Sequence, residues 1–388
     1  MSKAQPLAGL KVVEFCNVAA GPYCAMLLAD MGADVVKVEP AGGDMLRQWP
    51  PITDGFSENF AALNRNKRSI CLDLKAPADK AIARRLINAA DVVVENNRAG
   101  AMSRLGLGHE AFAQSRPQLI YCSLSAYGQD GPRSGEGGFD LTVQAMAGIM
   151  SITGEADGAP VKCGVPISDF ATGLYGAFAV ASMVAQVRAG GPGGHIDVSM
   201  LGSSLAIAAL QTSEYFGSGR NPRRLGAAHP RNAPYQAFRA ADGDFVLAAG
   251  NDRLWAGVCE VLGRQDLVGE SRFRTTTDRA RNQAELAAIM NAAFADRSID
   301  DLLAAFGAVG VPCSRINSYA EALQDAQVAH MGWVREINLP TGRRTRTFGP
   351  PVRIDGEAAP IRRDPPAIGA DRDTILADLA QAEAEPGR

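Results

Sequence analysis

An aspartate stands at the head of an apolar segment: residues 164–178 read GVPISDFATGLYGAF, and Asp169 is the only carboxylate in that window. Aspartate is a preferred residue at a helix N-cap, where its side chain accepts a backbone N–H. The same position also serves chemistry. A helix N-terminus lowers a carboxylate's pKa and offers N–H donors to a developing oxyanion, and a carboxylate held there can act as a nucleophile. The small residues around it (Gly164, Ala171, Thr172, Gly173, Gly176) either admit a bulky substrate or mark tight helix packing.

Other chemistries fit the chain poorly. A dinucleotide site is suggested by a β-α-β opening that ends on Glu39, where a ribose-binding acid would stand, but the turn reads NVAAGPYCA and lacks G-x-G-x-x-G. No G-x-S-x-G follows a strand, so a serine hydrolase is not supported. Four histidines without ligand spacing, and seven dispersed cysteines (Cys16, Cys24, Cys71, Cys122, Cys163, Cys259, Cys313) without a C-x-x-C pair, predict reduced thiols and no metal site. Six basic residues fall near predicted strand ends: Lys37, Lys67, Arg68, Lys75, Arg98 and Arg104. There they could hold a polyphosphate such as the ADP part of a nucleotide cofactor, or simply be a solvated face.

The elements that would position these groups are legible from pattern. KVVEF (11–15), DVVKVE (34–39), SICLDL (69–74), DVVVEN (91–96) and LIYCSLSAY (119–127) read as buried strands alternating with helices over 20–31 and 77–89. That alternation predicts an α/β fold with a parallel sheet. A long small-residue helix follows Asp169 to about Arg188, then the turn GGPGG, the strand HIDVSM (195–200) and one helix over 201–216. A hairpin is predicted at 235–250 around Asp242-Gly243, with helices over 253–306. The expected division is a large domain from residues 1–216, a smaller α+β domain at 226–325, and a segment 326–388 that returns to the large domain.

Composition bounds the class. The chain has 388 residues, 46% hydrophobic and 21% charged, with formal net charge -3, so a globular enzyme is expected and a nucleic-acid partner has no electrostatic support. The N-terminal residues MSKAQPLAGLKVVEF contain no extended apolar stretch, and no apolar run elsewhere reads as long enough to cross a bilayer; the expectation is a cytoplasmic protein without a membrane partner.

Seven motifs in order carry a resemblance across nearly the whole chain: LAGLKVVEF; AGPYCAMLLADMGADVVKVEP with GGDMLRQW; NRNKRSICLDLK; ADVVVEN with Arg104-Leu105-Gly106; YGQDGP; ISDFATGLYGA; and GGHIDVSML. The sequence resembles the class III CoA-transferases, the group of formyl-CoA transferase and the carnitine and bile-acid CoA-transferases (CaiB/BaiF type). The resemblance implies that Asp169 attacks an acyl-CoA thioester, and that CoA reaches a free carboxylic acid through aspartyl anhydride and aspartyl-CoA thioester intermediates. It implies coenzyme A, as acyl-CoA, for the substrate, with CoA-binding positions at Ala19, Ala20, Leu72, Asp73, Leu74, Lys75, Asn96, Asn97, Arg98 and Arg104. Lys75 and Arg104 fall on its phosphate or adenine side, Phe139 and Asp140 near the thioester, and Trp49 beside the active site. It also implies an interlocked homodimer in which a parallel-sheet, Rossmann-like large domain is joined to the smaller one by long extended segments.

Departures from the family pattern narrow the substrate. Formyl-CoA transferases have glutamine at Ala19, arginine after Glu39 where Pro40 stands, and tyrosine at Phe139, and a glycine-rich loop where this chain reads AAGNDRLW; formyl-CoA and oxalate are therefore disfavoured. Family members with similar departures use succinyl-CoA and other small dicarboxylates. The α-methylacyl-CoA racemases share the fold but use a histidine in Gly-His-Asp, and this chain reads Gly138-Phe139-Asp140, so one proton carrier is missing. A non-catalytic CoA-binding protein is the third reading, and it predicts that Asp169→Ala changes only stability.

Overall fold

The computed structural model describes residues 5–384 and divides into two compact units. One unit comprises the chain up to Ile149, Lys162–Arg220 and the chain from Gln327 onward; the other comprises Met150–Val161 and Asn221–Ala326.

The first unit is built on six strands: β1 Lys11–Phe15, β2 Asp34–Glu39, β3 Lys67–Cys71, β4 Val92–Glu95, β5 Ile120–Ser125 and β6 Gly194–Ser199. Their order is β3-β2-β1-β4-β5-β6, and every neighbouring pair is parallel. Parallel strands need crossovers, and helices supply them: α1 Ala20–Asp30 joins β1 to β2, and α2 Pro77–Ala89 joins β3 to β4. Both faces are therefore covered, so adjacent valines on one strand serve different layers. Val13, Val36 and Val93 pack with Leu86, Ile375 and Leu379 on one face. Val12, Val35 and Val92 pack with Cys24, Leu28, Val180 and Val184 on the other.

Val180 and Val184 belong to α4, Ile167–Arg188, which follows α3, Asp140–Met146. By length and composition α4 would suffice to cross a membrane, which corrects the expectation that no segment would. Its glycines set its depth: a Cβ at Gly173 would lie 2.8 Å from the Ala20 carbonyl oxygen, so the helix packs directly against the start of α1. Two further boundaries differ from the sequence reading. Strand β3 stops at Cys71, because Asp73 Oδ1 accepts the Lys75 N–H and turns the chain, and the helix expected over 201–216 is two, Met200–Ile207 and Ala209–Ser218.

The second unit holds the hairpin Tyr235–Ala240 and Gly243–Ala248, with Cys313–Arg315 added antiparallel to its second strand. Its core is apolar and aromatic: Phe294 sits edge-on to Phe238, Phe245 and Phe306 at centroid distances of 5.7, 5.3 and 5.8 Å. The segment Met150–Val161 also belongs to this unit, where Arg224 Nε donates to the Glu155 carbonyl.

Candidate active site

In an open parallel sheet, ligands bind beyond the strand carboxyl ends where the strand order reverses direction. Here that point lies between β1 and β4, and the residues just past each strand, Asn17 and Asn96, tie the two ends together. Asn17 N–H donates to Asn96 Oδ1 at 2.8 Å, and Asn96 Nδ2 donates back to the Asn17 carbonyl at 2.8 Å. Asn97 Nδ2 donates to the Phe15 carbonyl. The next residue, Val18, has φ 65°, a left-handed conformation that a β-branched side chain rarely adopts. It turns the chain into α1, whose start presses so close to β1 that a Cβ at Gly21 would lie 2.5 Å from Cys16 Sγ.

A cleft of about 240 Å³ opens there. Seven residues singled out from sequence line it: Ala19, Ala20, Asn96, Asn97, Arg98, Phe139 and Asp169. The lining also includes Asn17, Val18, Met45, Ser125, Ser134, Glu136 and Gly137, which sequence reasoning did not select. The motifs NVAAGP and GGDMLRQW carried the signal for Asn17, Val18 and Met45. Glu136 and Gly137 lie in a loop without periodicity. No imidazole lines the cleft.

Asp169 is the third residue of α4, inside its first turn, and the N-cap is Pro166 without a side-chain hydrogen bond. Asp169 is therefore not the cap. The capping function comes from Asp140 instead, whose Oδ1 accepts the Ser168 N–H at 3.0 Å. Gln144 Nε2 donates to Asp140 Oδ2 at 2.6 Å, and Gln144 Oε1 accepts the Cys163 N–H, so the strand-like approach to α4 is pinned as well. From beneath, Ser204 Oγ donates to Ser168 Oγ. The Asp169 carboxylate accepts no hydrogen bond from any described residue, and burial, reinforced by the charge of Asp140, pushes its pKa up to about 7. This reverses the expected lowering. The donor at Ser168 is already taken by Asp140, and desolvation outweighs the helix terminus.

The six basic residues separate into two sets. Lys37 and Lys67 are fully buried and share Glu14, at 3.1 and 3.0 Å; Lys37 also pairs with Asp44 at 2.9 Å. Arg68 pairs with Asp34 and Asp378. These three are structural and cannot face a polyphosphate. Glu39, the would-be ribose acid, is likewise engaged by Arg47 and Ser69. Lys75, Arg98 and Arg104 are exposed and make no ion pair with a described residue. The guanidinium of Arg98 lies along Gly137, where a Cβ would meet its Nη2 at 3.2 Å.

Six of the sequence-selected positions lie outside the lining, besides Asp140. Asp73, Leu74 and Lys75 occupy the turn after β3, and Arg104 ends the short helix Ala101–Arg104. Leu72 is 1% exposed and its side chain belongs to the core, so only its backbone is available to a ligand. Trp49, 41% exposed, precedes a Pro50-Pro51 pair and does not line the cleft.

The site is thus a carboxylate without a hydrogen-bond partner among the described residues, in a cleft at the switch point that no imidazole lines, and the chain that forms it matches a known group of proteins over nearly its full length. Residues 7–372 match the model of CoA-transferase family III. The chain belongs to that family. A succinate–glutarate CoA-transferase of Agrobacterium fabrum is 38% identical over 390 residues, covering 98% of each chain. A succinyl-CoA:glutarate CoA-transferase of Mus musculus is 38% identical over 377 residues, covering 97% of this chain and 86% of the relative. The crystal structure of a CaiB/BaiF family protein from Brucella suis superposes with a TM-score of 0.85 at 37% identity, covering 97% of this chain and 100% of that one. The chain is thus a class III CoA-transferase, which moves CoA from an acyl-CoA donor to a free carboxylic acid.

Proposed function

We propose that this enzyme exchanges CoA between small dicarboxylic acids, with succinyl-CoA as donor and a five-carbon diacid such as glutarate as acceptor. The similarity to enzymes named for succinate and glutarate supports the substrate pair. The observation that carries the mechanism is the partly desolvated Asp169 carboxylate, which faces the cleft without a hydrogen bond that would blunt it. Its oxygen attacks the thioester carbonyl and expels the CoA thiolate, leaving a mixed anhydride. The thiolate then attacks the aspartyl carbonyl, releasing the donor acid and leaving an aspartyl-CoA thioester. An acceptor carboxylate attacks that thioester to form a second anhydride, and the thiolate returns to the acceptor's acyl carbon, which frees Asp169.

In this reading the backbone at Ala19, Ala20, Leu72, Asp73 and Leu74, together with Asn96 and Asn97, holds the CoA chain, and the unpaired cations Lys75, Arg98 and Arg104 meet its phosphates. Phe139, 68% exposed, covers the thioester end. Asp140 acts from behind Asp169, through the α4 cap. A homodimer belongs to the same reading, supported by the exposed apolar side chains of Leu174, Phe178, Leu210 and Phe216. Seven free thiols suit a reducing, cytoplasmic setting.

The test is a mass-spectrometric assay in heavy water with succinyl-CoA, a panel of free acids and, separately, a 2-methylacyl-CoA. Glutaryl-CoA formed without deuterium is the expected product. Deuterium entering the 2-methylacyl-CoA as the sole change would instead establish racemisation.

A further inference from the structure

The turn that lines the cleft beside Asp169 is held in an unfavourable conformation by Asn96 and by two buried groups, Lys37 and Asp44, that do not line the cleft. Three successive residues are fixed from outside the turn. Lys37 Nζ donates to the Cys16 carbonyl at 2.9 Å, Asn96 satisfies both backbone groups of Asn17, and Asp44 Oδ1 accepts the Val18 N–H at 3.0 Å. Asp44 is fully buried. Its Oδ1 also accepts the Leu46 N–H, its own N–H donates to Glu39, and its Oδ2 pairs with Lys37. Lys37 and Lys67 share Glu14, so two buried acids and two buried bases lie directly behind the turn. Burial opposes ionisation of Asp44, but Lys37 and the Val18 and Leu46 N–H groups outweigh it and keep the carboxyl below its usual range.

A left-handed valine persists only where its surroundings over-determine it, and such strain gathers at functional sites. Val18, Ala19 and Ala20 line the same cleft as Asp169. We infer that Asp44 is a positioning residue for CoA transfer: by holding the Val18 N–H it fixes the left-handed turn, and thereby sets the Ala19–Ala20 wall against the Asp169 carboxylate. The inference rests on the reading of this cleft as the place where transfer occurs. Asp44 touches no substrate. Its contribution is to the precision of the approach between the thioester carbonyl and the nucleophile, which enters kcat more than substrate affinity.

Asp44→Ala, measured as the full-length enzyme, is expected to lower kcat roughly 10- to 100-fold while KM for the acyl-CoA stays within about threefold. Asp44→Asn keeps a carbonyl oxygen facing the Val18 N–H and is expected to recover kcat to within about fivefold of wild type. Wild-type kcat in folded Asp44→Ala overturns the inference, as does an Asn variant as slow as the Ala variant. If Asp44→Ala fails to fold, Asp44→Ala with Lys37→Met removes both charges of the pair and, because the Cys16 anchor goes too, is expected to lower kcat at least about tenfold; wild-type kcat in that double variant overturns the inference. Hydrogen–deuterium exchange of residues 15–23 gives a readout independent of substrate: the alanine variants should exchange faster there, and unchanged protection overturns the inference. Should wild type form no glutaryl-CoA, the proposed acceptor fails, while exchange at the turn still decides the role of Asp44.

Discussion

The two units differ in what they bury beside an apolar core: both pack apolar layers, and the first adds a cluster of charges. Behind the cleft, the first unit buries Glu14, Lys37, Asp44 and Lys67 with no exposed side-chain surface. The second buries a ladder of phenylalanines with Trp255, and Arg279, its one fully buried charge among the described residues, is spent on the Ala233 and Phe273 carbonyls and on Asp252. Apolar packing is indifferent to small shifts in direction, whereas a network of charged hydrogen bonds permits one arrangement of the chain. The unit that carries Asp169, the nucleophile proposed above, also carries the costly, directional network.

This contrast can be broken or refined by experiment, and the largest effect is on turnover. Asp169→Ala should lower kcat by at least about a thousandfold with the fold retained and CoA still bound, as single-turnover and binding assays would show. Residual full activity would remove the reason for the first unit's polar core.

Next come two stability tests, one in each unit. Glu14→Gln leaves Lys37 and Lys67 short of their shared acid and should cost about 3–5 kcal/mol; Phe294→Ala should cost a similar ~3–5 kcal/mol by opening a cavity. They differ in pH dependence. Burial already lowers the pKa of Lys67, and without Glu14 it sheds its proton more readily, so the Glu14→Gln deficit should shrink as pH rises toward the ordinary lysine range. The Phe294→Ala deficit should not move. Denaturant titrations at two pH values distinguish them.

Smaller effects follow from Asp169 itself. Its folded pKa, about 7, lies above the ordinary carboxylate value, so its contribution to stability is fully present below about pH 4 and is lost as pH rises through 7. Asp169→Asn should therefore raise stability at pH 8 by on the order of 2 kcal/mol and leave it nearly unchanged at pH 4, measured as Tm. In the proposed mechanism the ionised form of Asp169 is the nucleophile, so wild-type kcat should climb with pH through about 7. Asp140→Asn removes the neighbouring charge that helps hold this pKa up, and should move the rising limb to lower pH by up to about one unit. A limb that stays in place would show that burial alone sets the pKa.

Much of the first unit was readable in advance, because valine-rich runs alternating with helical patterns leave few options but a parallel sheet with two covered faces. Asp169 was readable through its motif. Its environment was not: the expected cap is supplied by Asp140, 29 positions earlier in the chain, and no local pattern encodes that pairing. Lys37 and Lys67 were misread as surface cations, although a lysine inside DVVKVE, on a strand covered on both faces, already required a buried partner. The left-handed Val18 had no signal at all, since valine is among the last residues chosen for that conformation. The segment Met150–Val161 joins the second unit through contacts with residues some seventy positions on, beyond the reach of periodicity.

The edge strand of the first unit's sheet, with the loops beside it, is tied down by the last part of the chain. Arg362 N–H meets Asn66 Oδ1, Arg47 reaches the Pro366 carbonyl, Ser69 N–H meets Asp371, and Arg68 pairs with Asp378. During synthesis these partners emerge some three hundred residues after the strands they secure. The strands that carry the cleft must therefore wait, incompletely closed, while the second unit, whose residues all precede Gln327, already has everything it needs to fold on the ribosome.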